Sequence, residues 1–478
     1  MWWLLSLPAI IVIFLAVIII RALCFSPKEG VKISETKENF DGEKAISNLC
    51  ELVKCKTVSY RDGALEDNAE FVKFIEILPK LYPNVFKTCS FEQLPDRALL
   101  FKWKGKNSGA PAVMMAHYDV VPVNEDGWSV PAFEALIKDG CVWGRGTLDT
   151  KVTFNGVMFA AEHLIAEGFT PENDIYFAFS GGEEVNGKGA SNIVDFFEKE
   201  GIEPAFVLDE GGAVVENVFP GVKAPCGLIG IAEKGMMDVK YTVRSNGGHA
   251  SAPKPGAPVD RLCAAVGRML KSPFKSHLTA PAAQMFDTLG RHSSFVYKVI
   301  FANINLFLPV LDMICKKSGG ELNALMRTTV AFTQMKGSAA SNVIPPEASI
   351  VSNIRLNPAD TMESALEYIK KTVDDEKVDV ICIQGMNPSR ISRTDCEGWD
   401  KVASAVASTW KGCIVSPYLM VQCSDSRHYG RISDKVYRFS AMDLTSEERA
   451  TIHGNDERIR IDCAKRATEF YIRLMRNC

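Results

Sequence analysis

Five stretches far apart in the 478-residue chain set a His, Asp or Glu just after an apolar run or beside glycines: His117, Asp149, Glu184, Asp209 and His453. Imidazole nitrogen and carboxylate oxygen suit Zn²⁺ and similar cations, and a dinuclear site needs one carboxylate able to bridge the ions. The five residues together supply such a set. Taken singly, each has an ordinary explanation: an Asp after a strand commonly caps a helix or closes a turn, and the neighbours Glu183-Glu184 could simply face solvent. Their joint occurrence points instead to metal-dependent hydrolysis, because only seven histidines are present and two of them stand in His-x-Asp and His-Gly-Asn-Asp-Glu-Arg settings.

The elements that must position these groups are strands and the turns that follow them. Residues 111–116 form an almost wholly apolar run, read as a buried strand of a parallel sheet, that delivers His117-Tyr118-Asp119 at its C-terminal end. Ligands of open α/β sheets gather at such ends. Residues 143–151 bend through Gly144 and Gly146 before Asp149, and the helical spacing of 154–166 puts Asp149 on the turn into a helix. A second strand pattern, 174–180, runs into Gly181-Gly182-Glu183-Glu184, and a third, 205–208, ends in Asp209-Glu210-Gly211-Gly212. Asp119, two residues from His117, is placed to accept the second ring N–H and fix the tautomer. Glu183 cannot easily point at the same ion as Glu184, which leaves it to act as general base on the water between the metals.

Several blocks of the chain resemble those of a known family. His117-Tyr118-Asp119-Val120-Val121-Pro122, Gly144-Arg145-Gly146-Thr147-Leu148-Asp149, Gly182-Glu183-Glu184, Leu208-Asp209-Glu210-Gly211-Gly212 and His453-Gly454-Asn455-Asp456-Glu457-Arg458 are similar to signature blocks of the zinc exopeptidase family of aminoacylases and carboxypeptidase S. The likeness runs in order over roughly residues 40–475 and is strongest to the branch of carboxypeptidase S and the mammalian N-fatty-acyl-amino-acid synthase/hydrolase. It implies an α/β catalytic domain on a mostly parallel sheet, with an inserted βαββαβ, ferredoxin-like lid and dimerisation domain. It implies two Zn²⁺ per chain, one held by His117, Asp149 and Asp209, the other by bridging Asp149, Glu184 and His453. His249, in Gly247-Gly248-His249-Ala250-Ser251, would polarise the scissile carbonyl, reaching across from the partner subunit in dimeric relatives. Asn342 and Arg355 would grip the substrate's free carboxylate, for which a planar guanidinium is suited. Arg427 is a candidate for the same pocket, although its lead-in Gln422-Cys423-Ser424 departs from the small or glycine-rich one of the family. The implied reaction is hydrolysis of a peptide or N-acyl amide bond next to a free carboxylate, either carboxypeptidase-like or as an N-acyl-amino-acid hydrolase/synthase. A non-catalytic, metal-bound receptor is the remote alternative, against which an intact Glu183 argues.

Periodicity alone outlines the insert. Residues 236–244, 327–335, 348–356 and 378–384 read as strands, and 256–270 and 361–373 as helices, giving the order β-α-β-β-α-β. The chain then divides into a transmembrane anchor (1–25), a flexible linker (26–43), the first part of the catalytic domain (44–237), the lid (238–387) and the second catalytic part (388–478). Within the lid, Phe295–Cys315 is strongly apolar. Packing of the lid core or a dimer seam would account for it, as would a wall for an acyl chain or a rest on the membrane.

Hydrophobic residues make up 47% of the chain and the net charge is −4, which allows a large core and gives no bulk attraction to nucleic acid. Trp2–Ile20 carries no charge, and its length at ~1.5 Å per residue, ~29 Å, suffices for a bilayer core. A retained single-pass anchor is therefore expected; the rival, a cleaved signal peptide, lacks a basic leader and a small-x-small cleavage site. Arg21, Lys28, Lys32 and Lys37 follow the span and no Lys or Arg precedes it, which places the enzyme in the cytoplasm. Fourteen cysteines and the absence of an Asn-x-Ser/Thr acceptor agree, whereas the family likeness implies the opposite side. The expected partners are a small peptide or N-acyl amino acid, the membrane, and a second copy of the chain through the lid.

Overall fold

The computed structural model describes residues 3–478. Its central sheet has eight strands in the spatial order Ser90–Leu94, Ala98–Trp103, Ile175–Ser180, Ala112–His117, Phe206–Val215, Val436–Leu444, Cys226–Glu233 and Ile414–Met420. The sheet is mixed rather than mostly parallel. Ala112–His117 runs parallel to both of its neighbours, as do the pairs Val436–Leu444 with Phe206–Val215 and Ile414–Met420 with Cys226–Glu233. Antiparallel pairing covers the edge from Ser90 to Ser180 and joins Val436–Leu444 to Cys226–Glu233.

The three strands expected to end in ligands lie side by side at the centre and point the same way. Each is apolar on both faces because helices cover both faces. Lys151–Ala166 and Ile461–Arg476 bury one face through residues such as Val157, Phe470 and Leu474. Gly189–Glu200 buries the other through Ala190, Ile193, Val194 and Phe197. The C-terminal ends of the strands therefore open on one edge of the sheet.

The insert forms a four-stranded antiparallel sheet, in the order Thr329–Lys336, Glu347–Leu356, Gly235–Arg244, Asp379–Met386. Helices Pro258–Lys271 and Met362–Val373 cover it, burying Leu262, Ala265 and Met269, and Ala365, Ile369 and Val373, at helical spacing. Thr361 starts the second helix with a capping box.

Two expectations change. The apolar segment 295–315 does not belong to the lid. It lies within four helices, Ala280–His292, Phe295–Ala302, Ile304–Ser318 and Gly320–Met326, whose Met285, Phe286, Phe301, Cys315 and Leu325 pack on Cys226, Leu228, Ile414 and Leu419 of the central sheet. Apolarity was visible in the sequence; the surface it covers was not. The expected flexible linker is likewise laid along the catalytic body. Ser404 Oγ donates to the Lys32 carbonyl at 2.5 Å, Ser34 N–H donates to Ser408 Oγ at 2.9 Å, and Arg473 Nη2 donates to the Thr36 carbonyl at 2.7 Å.

The N-terminal helix spans Trp3–Leu23, with its apolar stretch at Ala9–Leu23. Among the described residues no single helix is long and apolar enough to cross a membrane. Met1 and Trp2, the start of the expected anchor, lie outside the described residues.

Candidate active site

His117 closes its strand and is almost fully buried. Its Nδ1 stands 2.9 Å from the carbonyl oxygen of Asp119. A carbonyl can only accept, so Nδ1 carries a proton and Nε2 is the nitrogen turned towards the cluster. Nε2 faces Asp149 Oδ1 at 2.8 Å and Glu210 Oε1 at 3.1 Å. Asp119 thus orients the imidazole chiefly through its peptide carbonyl, not through its carboxylate, whose Oδ1 is 3.5 Å away. The carboxylate has other duties: it accepts from Glu183 N–H at 3.1 Å, Glu184 N–H at 3.2 Å and Ser59 Oγ at 2.6 Å, fixing the turn that carries the two glutamates.

Asp149 is shared. While Oδ1 meets His117, Oδ2 lies 3.0 Å from His453 Nε2, and the same nitrogen is 3.2 Å from Glu184 Oε2. One carboxylate with an imidazole on each oxygen is the arrangement a bridging ligand requires. Burial pushes Asp149 up, but hydrogen bonds from His117 and His453 outweigh it and hold the group well below the usual range. Asp149 and Glu184 in turn raise His453 to about 10.

The loop bearing Asp149 is tied to the loop bearing His453 by Glu457, which is fully buried. Its Oε1 accepts from the N–H groups of Gly146, Leu148 and Asp149 at 3.0, 2.8 and 3.3 Å, and its Oε2 pairs with Arg145 Nη1 at 2.5 Å. Arg145 Nη2 also donates to the Gly454 carbonyl at 2.9 Å. Glu457 belongs to the His453–Arg458 block, and nothing in the sequence alone gave it this role.

Glu210, rather than Asp209, stands beside His117. Asp209 is buried and accepts the Ser426 N–H at 3.0 Å, while Glu210 faces His117. The cause is a bulge. Along the neighbouring strand Asp209 pairs with Arg438 and Gly212 with the next residue, Phe439, so Glu210 and Gly211 are extra and the alternation of side chains is interrupted. Gly211 sits at φ +144°, and a Cβ on Gly212 would stand 1.8 Å from the Leu228 carbonyl oxygen. The paired glycines were the signal that the strand there is not regular.

The cluster calls for positive charge. Glu183 is held well above its usual range, mainly by burial and then by Glu210, Asp425 and Glu184, against the pull of His117. Glu210 rises to about 8 and Asp425 to about 7, again chiefly through burial. Glu184 Oε1 is buried without a hydrogen-bond partner among the described residues. Ligand atoms of His117, Asp149 and Glu184, and of His117, Glu183 and Glu210, lie close enough together to share a cation. An orphaned oxygen, an imidazole nitrogen turned towards the cluster and a doubly engaged carboxylate suit a metal centre.

A cavity of about 860 Å³ opens on Asp149, Glu183, Glu184, Glu210 and His453 and continues between Val215, Leu228, Met285, Leu325, Met420 and Met442. A second, of about 220 Å³, adjoins it and is lined by Glu183, Asp425, Arg427 and His428. Cys423 borders both. Arg355 Nη1 donates to Cys423 Sγ at 3.3 Å, which brings the expected carboxylate-binding arginine to the rim. Arg427 is largely committed: Nη2 pairs with buried Glu233 at 2.7 Å, leaving Nη1 buried and unpartnered among the described residues. His249 and Asn342 come together elsewhere. His249 lies in, and Asn342 directly precedes, a two-residue ribbon in which Gly248 pairs with Ile344 and His249 with Val343, exposed and away from the lining of either cavity.

The model of peptidase family M20/M25/M40 matches residues 113–477. "Probable carboxypeptidase S-like 2" of Dictyostelium discoideum is 31% identical over 97% of this chain and 92% of its own. "N-fatty-acyl-amino acid synthase/hydrolase PM20D1" of Xenopus tropicalis is 33% identical over 98% of this chain and 93% of its own. Among solved structures, the M20 family metallo-carboxypeptidase Sso-CP2 of Sulfolobus solfataricus superposes with a TM-score of 0.66 at 16% identity, covering 90% of this chain and 98% of that one. Human carnosine dipeptidase 1 gives 0.63 at 14% identity, covering 91% and 96%.

Proposed function

Because the chain belongs to peptidase family M20/M25/M40, whose members similar to it include carboxypeptidase S-like proteins and N-fatty-acyl-amino-acid synthase/hydrolases, we propose that it hydrolyses the amide bond between an apolar acyl group and an amino acid with a free carboxylate. The observation that carries this choice is the cavity running from the carboxylate cluster between Val215, Leu228, Met285, Leu325, Met420 and Met442. An apolar pocket of that volume recognises hydrocarbon by area removed from water. A carboxypeptidase acting on peptides with bulky apolar residues is the second reading, supported by the carboxypeptidase S-like relative.

Two zinc ions fit the donors: His117, Asp149 and a carboxylate from the Asp209-Glu210 pair for one, with geometry favouring Glu210, and Asp149, Glu184 and His453 for the other. When bound they supply Lewis-acid polarisation of the amide and a more acidic water. Glu183 takes the proton of the attacking water and returns it to the leaving nitrogen. Arg355 receives the free carboxylate at the Cys423 rim, and Arg427, which lines the adjoining cavity with one nitrogen unpartnered among the described residues, is assigned to the same end. His249 and Asn342, exposed on their ribbon, are assigned to the cavity of a second copy of the chain. The N-terminal helix is assigned to holding the enzyme at a membrane, on the strength of its bare apolar surface at Ala9–Leu23.

The test is turnover by the zinc-loaded protein on N-acyl amino acids of increasing acyl length beside dipeptides. Rising kcat/KM with acyl length is expected. A flat response, with dipeptides preferred, would reject the acyl reading in favour of the second.

A further inference from the structure

We propose that the bent helical pair Phe295–Ala302 and Ile304–Ser318 lies in the surface of an anionic phospholipid bilayer beside the N-terminal helix, so that an acyl chain passes from the lipid through this insertion into the catalytic cavity. The membrane contact stands on surface geometry alone; the passage rests on the acyl reading above.

The pair turns through 104° at Asn303, and taken together it is as long and apolar as a membrane span. The bend suits a helix pair lying in the interface rather than one crossing it. Its inner side belongs to the core, with Phe301 and Cys315 buried and Leu308 and Leu311 packed beside them. Its outer side is apolar as well. Leu306, Val310, Met313 and Ile314 are 47, 47, 61 and 50% exposed, and their spacing of four, three and one residues sets them in one stripe. A helix that meets water on its outer face has no use for such a stripe, and contiguous exposed apolar surface marks a contact.

The N-terminal helix continues this surface. It packs on Phe295–Ala302, its Ile18 and Ala22 are only 8 and 1% exposed, and Asn303 Nδ2 donates to the Ile18 carbonyl at 3.2 Å. From Ile10 to Leu15 every residue is about half exposed or more. The two bare surfaces therefore belong to adjoining helices.

Charge identifies the medium that covers them. Arg21, Lys298 and Lys317 stand on these helices and form no ion pair among the described residues, whereas the single acid, Asp312, is already paired with Lys316 and Arg327. Unpaired basic groups around an apolar stripe match anionic headgroups over acyl chains. On the inner side, Leu322 and Leu325, which follow directly in the next helix, line the catalytic cavity. The insertion thus carries both the outward stripe and part of the cavity wall.

The full chain reconstituted in vesicles of phosphatidylcholine and phosphatidylserine, with a diazirine in the acyl chains, tests the contact by photo-cross-linking and peptide mass spectrometry. Lipid adducts are expected within 305–317 as well as within 9–20. Adducts confined to the N-terminal helix, or cross-links between two copies through 305–317, would overturn the contact. The double variant Val310→Glu/Met313→Glu places charge at exposed positions, and its melting curve serves as the folding control. At least a fivefold loss of adducts in 305–317 is expected. With it, turnover of a vesicle-dissolved long-chain N-acyl amino acid should fall about tenfold while that of a short, water-soluble one stays unchanged. An equal fall for both substrates, or none, rejects the passage. If no N-acyl amino acid is turned over, the acyl reading fails and the passage with it, while the adducts still decide the membrane contact.

Discussion

Arg145 and Glu457 form a buried ion pair at 2.5 Å that joins the loop of Asp149 to the loop of His453 across more than three hundred residues of chain. Glu457→Gln would leave Arg145 buried without its partner charge and weaken the three N–H bonds that shape the Asp149 turn. Breaking a buried pair on one side costs about 3–5 kcal/mol. We expect a loss of that order in denaturant unfolding, together with loss of zinc measured by atomic emission. Retained zinc in a stably folded variant would show that the loops hold themselves.

Glu183→Gln separates chemistry from assembly. Positioned acid–base groups contribute about 10²–10⁴-fold, so kcat should drop at least a hundredfold with zinc content unchanged. Turnover near that of the parent would assign the proton transfer to another group.

The bulge after Asp209 makes a discriminating pair of variants. Because Glu210 faces His117 while Asp209 accepts the Ser426 N–H, Glu210→Gln should lose one equivalent of zinc and Asp209→Asn should keep both, with a lower melting temperature. The reverse result would return the third ligand to Asp209.

Glu233 carries a pH signature away from the metal cluster. It is fully buried; burial raises its carboxyl, but Arg438 and Arg427 outweigh burial and bring it down to about 2 from 4.5. A depressed folded-state value means that its stabilisation is complete above about pH 4.5 and is lost as pH falls towards 2. In urea titrations, the stability gap between the parent and Glu233→Gln should be widest near neutrality and narrow below pH 4.5. A gap independent of pH would show that the carboxylate is not ionised in the fold.

Acyl selectivity should move with the cavity wall. Leu325 is buried and lines the cavity, so Leu325→Trp should cut kcat/KM for long acyl chains at least tenfold, in line with the ~1–3 kcal/mol attached to a methylene's fit, and spare short ones. Uniform loss across chain lengths would place the hydrocarbon elsewhere.

The sequence revealed the chemistry better than the geometry. His117, Asp149, Glu184 and His453 could be picked out because each sits where a strand or a glycine turn ends, and the three apolar strands were legible because a strand covered on both faces must be apolar throughout. Glu210 was hidden by the period-two rule itself, which fails at a bulge. Glu457 was hidden because a buried acid becomes recognisable only when its N–H donors, more than three hundred residues earlier, are seen beside it. The helices of 280–326 showed the same limit: their composition announced burial, but the choice between lid and central sheet is a tertiary matter that no local pattern encodes.

One feature of the cluster sets how the enzyme should fill with metal. Asp149 meets His117 with one oxygen and His453 with the other, so a first cation would turn the carboxylate for a second while cancelling part of the negative charge that draws the second in. Loading should then be stepwise: at half-saturating zinc singly loaded molecules would be populated, and activity would lag behind bound zinc.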